Sequence, residues 1–306
     1  MRSVIPRSAW VIAIIVLLSW LLPPSAVAQE GALDPSQPKG STPEQIIQRF
    51  AAKEKEFKEA RDQYTYRQTV KLQTLDGDTV DGEFQEVFDI TFDDKGHRVR
   101  TMVFAPQPSL TRISISREDL DDIENGFPMV LTSDEINQYS VLYTGQQQED
   151  ELHCYVFDVA PKEIEKNKRY FQGRIWVYDH DFQIVKSYGK MVPETHLNRK
   201  GKGQENLFPK FTTWREQIDG TYWFPTYTRA DDTLHFQNPP QDVHIRQVVK
   251  YTNYKRFGSN VKITYEGKEI PKDQKKPEQP QPSQPRSSVQ RMPACHLNQT
   301  SIGEDP

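Results

Sequence analysis

The sequence predicts an α+β protein built on a strongly curved antiparallel sheet, a half-barrel of about ten strands with helices on its concave face. Three observations point there. One long amphipathic stretch opens the chain after residue 42. A succession of β-rich runs at period two follows it, and the turn signals between them are too close together for parallel crossovers. A flat open sheet of that size would curl or split, and curling around the helices is the economical way to bury its apolar face.

The opening helix is the best-marked element. Thr42 is a good N-cap, Pro43 suits the first helical position, and Gln45 completes a capping box. Ile46, Ile47, Phe50, Ala51 and Phe57 recur at helical spacing, while Lys53, Glu54, Lys55, Glu56 and Lys58 fall largely elsewhere. A helix from 43 to about 62 would be roughly 30 Å long with one apolar stripe. From Tyr64 the period becomes two: Tyr64, Tyr66, Val70 and Leu72 alternate with polar residues. After the turn at Asp76-Gly77-Asp78, Val80, Phe84, Phe88, Ile90 and Phe92 share a face that Glu86 interrupts. His97 to Ala105 is a third strand. The middle holds a short acidic helix from Ser116 to Asn125, a turn of helix at 133–138, and strands at 139–144 and 152–159. The segment GRIWVYDHDFQIVKSYGK, 173–190, is the strongest hairpin. A second hairpin, 211–229, turns on Asp219-Gly220, and the last strand is 243–251.

Two further segments concern address rather than fold. Arg2 and Arg7, the 14-residue apolar run from Ala9 to Leu22, and Ala26-Val27-Ala28 match a secretory signal peptide, with cleavage expected after Ala28. The domain reading is therefore a signal peptide at 1–28, a flexible leader at 29–41, the half-barrel at 42–266, and a disordered Pro/Gln-rich tail at 267–306. The expected location is the periplasm or the exterior. Of the 306 residues 27% are charged and the formal net charge is only −4, so no basic stripe marks a nucleic-acid partner. An aromatic fraction of 11% rules out a mostly disordered chain.

The opening helix PEQIIQRFAAKEKEFKEARDQYTYR, the Trp-containing hairpin, and the segment IDGTYWFPTY resemble the LolA/RseB-like family of periplasmic lipoprotein-sorting and lipid-sensing proteins. The resemblance spans about residues 42–258. It implies a cavity inside the half-barrel that holds an acyl chain, hence an acylated lipid or lipoprotein, or an envelope protein, as partner. The aromatic faces supply the candidate ligand-binding residues: Phe84, Phe88, Phe92, Trp176, Tyr178 and Trp214. These same rings serve equally well to fill an ordinary core.

Chemistry-bearing motifs are few. The histidines at 97, 153, 180, 196, 235, 244 and 296 form no metal-ligand pair at helical spacing, and no nucleophile elbow or phosphate loop occurs. Asp179-His180-Asp181 reads as turn chemistry, because three adjacent turn residues point apart. The basic loop 198–203 could meet anionic headgroups. Cys154 and Cys295 read as a buried strand thiol and a tail thiol rather than a pair. No cofactor, metal or catalytic residue is assigned. The expected function is uptake of an acyl chain or other apolar ligand, without catalysis. The alternative is a structural or interaction module with a packed interior and a partner-recruiting tail.

Overall fold

The computed structural model describes residues 30–93, 97–125, 131–194 and 206–256, all within the first of two units into which the chain divides, Met1–Gly258. In chain order the elements are α1 (Pro43–Arg61), β1 (Tyr64–Asp76), β2 (Thr79–Phe92), β3 (Arg98–Phe104), α2 (Arg117–Asn125) and a 3-10 turn (Ile136–Gln138). There follow β4 (Tyr139–Glu149), β5 (Leu152–Pro161), β6 (Tyr170–Tyr178), β7 (Ile184–Val192), β8 (Phe211–Ile218), β9 (Tyr222–Gln237) and β10 (Pro240–Arg256). All ten strands form one antiparallel sheet in the order β3-β2-β1-β10-β9-β8-β7-β6-β5-β4. The sheet is not closed: β3 and β4 are its two edges. Among the described residues only two α-helices accompany it.

The helix α1 starts as its sequence dictates. The Thr42 hydroxyl accepts from the Gln45 amide at 3.3 Å, and the Gln45 side chain accepts from the Thr42 amide at 3.0 Å, so two of the otherwise orphaned N-terminal donors are satisfied. Ile46, Phe50, Ala51 and Phe57 are buried against one face of the sheet. Phe50 meets Phe157 of β5 at 5.6 Å between ring centres, and Phe57 meets Phe224 of β9 at 5.3 Å. Glu54 departs from the expected polar side. It is fully buried and forms a two-pronged ion pair with the buried Arg215 of β8, at 2.8 and 3.2 Å. The helical period puts residue 54 beside Phe50 and Phe57, so burial there was built into its position, and Arg215 supplies the partner that a buried carboxylate requires.

The strands alternate between two faces, and the helix-bearing face carries the main core. On β1 every even-numbered residue from Tyr64 to Thr74 is buried, including Gln68 and Thr74. On β2, Phe84, Phe88 and Ile90 are buried, but Val80 is 42% exposed. Leu75 pairs with Val80 while Thr74 pairs with Gly82, so the extra residue Asp81 makes a bulge that turns Val80 out of the expected apolar face.

Three further differences concern extent. The helical turn expected at 133–138 is reduced to the 3-10 turn. The strand expected to end at Thr144 runs on to Glu149, and the last two strands lengthen into a hairpin from Tyr222 to Arg256. The leader also takes a defined course: Gly31 and Asp34 donate backbone hydrogen bonds to Gln148 and Gln146 of β4, each at 2.8 Å. The expected basic loop 198–203, the signal peptide and the tail lie outside the described residues.

Candidate functional site

The sheet has two faces, and each carries a concavity. On the helix-bearing face, the segment 105–125 crosses from the end of β3 and lays Leu110, Ile113, Ile115, Leu120 and Ile123 on the core. Between it and β1, β9 and β10 lies a crevice of about 70 Å³. Leu72, Ile113, Ile115, Ile123, Leu234 and Ile245 line it, with Phe208 and Met191 at the side. Its polar lining is Ser114, Asp119, Asp122 and Gln247, and the amide nitrogen of Gln247 is buried there with no hydrogen-bond partner. Leaving such a group unpaired costs about 1–3 kcal/mol, so it marks a place where an acceptor would be welcome.

The segment over the crevice is fastened by polar contacts at its two ends. Arg112 pairs with Asp81 at 2.8 Å and donates to the Leu75 carbonyl at 2.7 Å. Arg169, at the start of β6, pairs with Glu118 at 3.1 Å and Asp122 at 3.2 Å of α2 and lies over the Phe208 ring at 3.9 Å. The Thr74 hydroxyl and then the Arg112 guanidinium hold the Asp81 carboxyl below its ordinary range, outweighing its modest desolvation. The capping pattern at Ser116 explains where α2 begins: its hydroxyl accepts from the Asp119 amide at 3.1 Å and donates to the Asp119 carboxylate at 2.7 Å.

On the opposite face a wider groove of about 900 Å³ runs across β4 to β8. Cross-strand register builds it: Trp176 faces Lys186, which faces Trp214, and Arg174 faces Tyr188, which faces Thr212. Lys186 is 4% exposed. Its ammonium sits 4.7 Å from the Trp176 ring centre and 5.9 Å from that of Trp214, and it donates to Glu149 at 2.6 Å and to Glu30 of the leader. Burial pushes the Glu149 carboxyl up, against the pull of Lys186. Arg174 is neutralised by Asp158 through two hydrogen bonds of 2.7 and 3.0 Å. Further along the groove, burial and then the charge of Lys210 lower the Lys190 ammonium below its ordinary value.

The structure divides the six aromatic candidates between these faces. Phe84 and Phe88 are packed into the main core, and Arg100 covers the Phe88 ring at 3.3 Å. Phe92 lies half-buried at the end of β2, opposite Arg98. Trp176 and Trp214 line the groove on the other face, and Tyr178 packs beside it against Trp223. The two trios therefore do not share one cavity. Lys186, Glu149, Gln247 and Arg169 were not singled out from the sequence. Each is one polar residue within an ordinary alternation or loop, with no local signal of its partner.

The expected turn chemistry at 179–181 is seen in its partners. The Asp179 carboxylate accepts from His153 Nδ1 at 2.8 Å, whereas Asp181 accepts from Trp223 Nε1 at 2.8 Å. Cys154 is buried, and burial pushes its thiol up to about 12, which leaves it unreactive at neutral pH. Among the described residues no cluster of histidine, cysteine, aspartate or glutamate is arranged to hold a metal ion. Among them, too, no helix is long and apolar enough to cross a membrane.

The chain is thus an open antiparallel sheet with a long capped helix on one face and a short acidic helix lying over the same core. No protein-family model matches the chain, and no curated protein matches it. Solved structures are similar to it in fold. A DUF1329 family protein from Desulfovibrio piger aligns at 15% identity over 71% of this chain and 94% of its own, with a TM-score of 0.34. The LolA superfamily protein NE2245 from Nitrosomonas europaea aligns at 16% identity over 66% and 92%, with a TM-score of 0.29. The MucA/MucB complex from Pseudomonas aeruginosa contributes a chain at 9% identity over 70% and 98%, with a TM-score of 0.20.

Proposed function

We propose that the protein is exported to the cell envelope and binds the acyl chain of a lipid or lipoprotein, or a similar apolar ligand, without catalysing a reaction. The binding surface is the concave, helix-bearing face of the half-barrel, and segment 105–125 is its lid. The crevice beneath that segment carries this reading. Its wall is mainly aliphatic and aromatic, with Ser114, Asp119, Asp122 and the unpaired Gln247 amide as its polar members, and that mainly apolar wall suits a ligand with a hydrocarbon chain.

Magnitudes favour an exchange rather than the filling of a void. At about 70 Å³ the crevice is smaller than the roughly 300–1,000 Å³ of ordinary ligand pockets. An acyl chain would therefore replace the aliphatic side chains of the lid. Burying a sixteen-carbon chain gains on the order of 10 kcal/mol at about 0.8 kcal/mol per methylene, before the costs of ordering it. Lifting the segment exposes the buried Ile123 and the partly buried Leu110, Ile113, Ile115 and Leu120, which offsets part of that gain.

The small crevice also favours a second reading, an interaction module whose interior is already packed. Uptake of a fluorescent fatty acid by the folded chain separates the two. Saturable uptake that Leu234→Asp abolishes supports the ligand-binding reading. A folded protein that takes up none supports the module.

A further inference from the structure

The far edge of the sheet, β4, is covered in part by the leader. Residues 30–36 lie antiparallel along the second half of β4. Besides the two bonds from Gly31 and Asp34, the Gln146 amide donates to the Asp34 carbonyl at 2.7 Å. Gln147 donates its side-chain amide to the Gly31 carbonyl at 2.8 Å, and the Tyr143 hydroxyl donates to the Ser36 carbonyl at 2.8 Å. The fit depends on two glycines. A Cβ at Gly145, whose φ is +148°, would lie 2.3 Å from the Asp34 carbonyl oxygen, and a Cβ at Gly31 would lie 2.9 Å from the Gln148 Cβ. The Glu30 carboxylate then reaches the buried Lys186 between its two tryptophans.

This leader fills only part of what β4 offers. Among the described residues nothing pairs with the outer backbone edge of residues 139–143, and Leu142 there is 64% exposed. The leader itself brings little apolar burial, since its one large aliphatic side chain, Leu33, remains exposed. Its contacts are three backbone hydrogen bonds and a few polar side-chain contacts with little apolar burial behind them, the kind that open at low cost. Lys186 also has a second carboxylate in Glu149, so departure of Glu30 would leave its charge compensated.

We propose that β4 is a site for an extended segment of a partner protein, which adds as an eleventh strand and places an acidic side chain on Lys186. The chain's own residues 30–36 occupy this site in cis as a displaceable stand-in. The partner segment has a carboxylate followed by glycine, as in Glu30-Gly31, and continues over Leu142 with an apolar residue. Main-chain pairing gives such a complex its affinity, and the lysine and the glycine contact give it register.

The test uses the chain lacking its first 28 residues and a fluorescent peptide of the sequence of residues 29–38. In the chain, Gly31→Val loosens the cis segment through its clash with Gln148 while every residue of β4 and Lys186 is left as it is. Fluorescence anisotropy should show the peptide binding the Gly31→Val chain at least tenfold more tightly than the unaltered chain. A peptide with glutamine in place of its glutamate should bind at least tenfold more weakly than the parent peptide. Because that change is in the peptide, it cannot act through misfolding of the protein. Circular dichroism of the Gly31→Val chain confirms that the sheet is intact. No binding to the folded Gly31→Val chain, or equal binding of both peptides, would overturn the proposal.

Discussion

Glu54 and Arg215 show what a single charged pair can decide. Both side chains are within the core, so removing one leaves a charge with neither water nor counter-ion. Arg215→Met should therefore destabilise the fold by about 3–5 kcal/mol in urea denaturation. Adding Glu54→Leu to it should recover most of that loss, because the stranded carboxylate is gone. A double variant as unstable as Arg215→Met alone would show that the guanidinium acts through packing on Phe57, 4.9 Å away, rather than through charge. Asp231 gives a prediction with a pH. Burial raises its pKa, but hydrogen bonds from His244, Arg229 and Arg246 outweigh that and bring it down to about 2. Its folded pKa is thus depressed, so its contribution is fully present above about pH 4 and is lost as pH falls toward 2. At most about 2 kcal/mol is involved. Asp231→Asn should lower stability at pH 7 and flatten the loss between pH 4 and 2. An acid limb unchanged by the substitution would remove Asp231 from the account. Neither pair was legible in the sequence. Glu54 stands 161 positions from its partner, and the alternation that buries residue 215 is the same one that buries apolar neighbours.

Among the elements, legibility followed the strength of local signals. The capping box at Thr42 and Gln45 placed the start of α1, and Asp219-Gly220 placed a hairpin whose two turn residues both adopt the positive φ such a turn requires, 56° and 67°. The second half of β4, GQQQE, was missed because glutamines carry little strand signal. They are there because the leader pairs with them. The leader's composition spoke only for a loop, since three backbone hydrogen bonds to a distant strand leave no trace in its own sequence. The same contact gives a prediction at this scale. Gly145→Val introduces a side chain where the Asp34 carbonyl now lies and should release residues 30–36 from β4 at a cost on the order of 1–3 kcal/mol. Limited proteolysis should cut the variant faster within 30–41, with hydrogen-exchange protection lost at the Gln146 amide and kept at the β4 amides bonded to β5. Equal cleavage of variant and parent would mean that the leader does not depend on this approach.

For the molecule as a whole, period-two patterning over some 190 residues made a ten-stranded antiparallel sheet legible, since each short turn forces its strands to be neighbours. Patterning does not say which aromatic rings share a face across the sheet. Trp176 and Ile175 are adjacent in sequence, yet one lines the open groove and the other lies in the core beneath α1. Separating Phe84 and Phe88 from Trp176 and Trp214 therefore required the register, which depends on bulges such as those at Asp81 and between Trp214 and Arg215. The register also places segment 105–125 and its fastenings, and from the proposal that this segment is a lid follows a kinetic expectation. Removing the Arg112 ion pair to Asp81 by Arg112→Ala frees one end of the lid, so stopped-flow fatty-acid uptake should quicken several-fold. An unchanged rate would mean that segment 105–125 is not the gate.

The central claim is that the helix-bearing face takes up an acyl chain. Its most direct test is organic extraction and mass spectrometry of the exported protein, purified from its envelope fraction without detergent, alongside fatty-acid uptake by the stripped protein. The account predicts an acylated species at near-equimolar amount and its displacement by added fatty acid, with both lost in a folded Leu234→Asp variant. A protein that carries no acylated species and takes up no fatty acid, its lid intact, would contradict it.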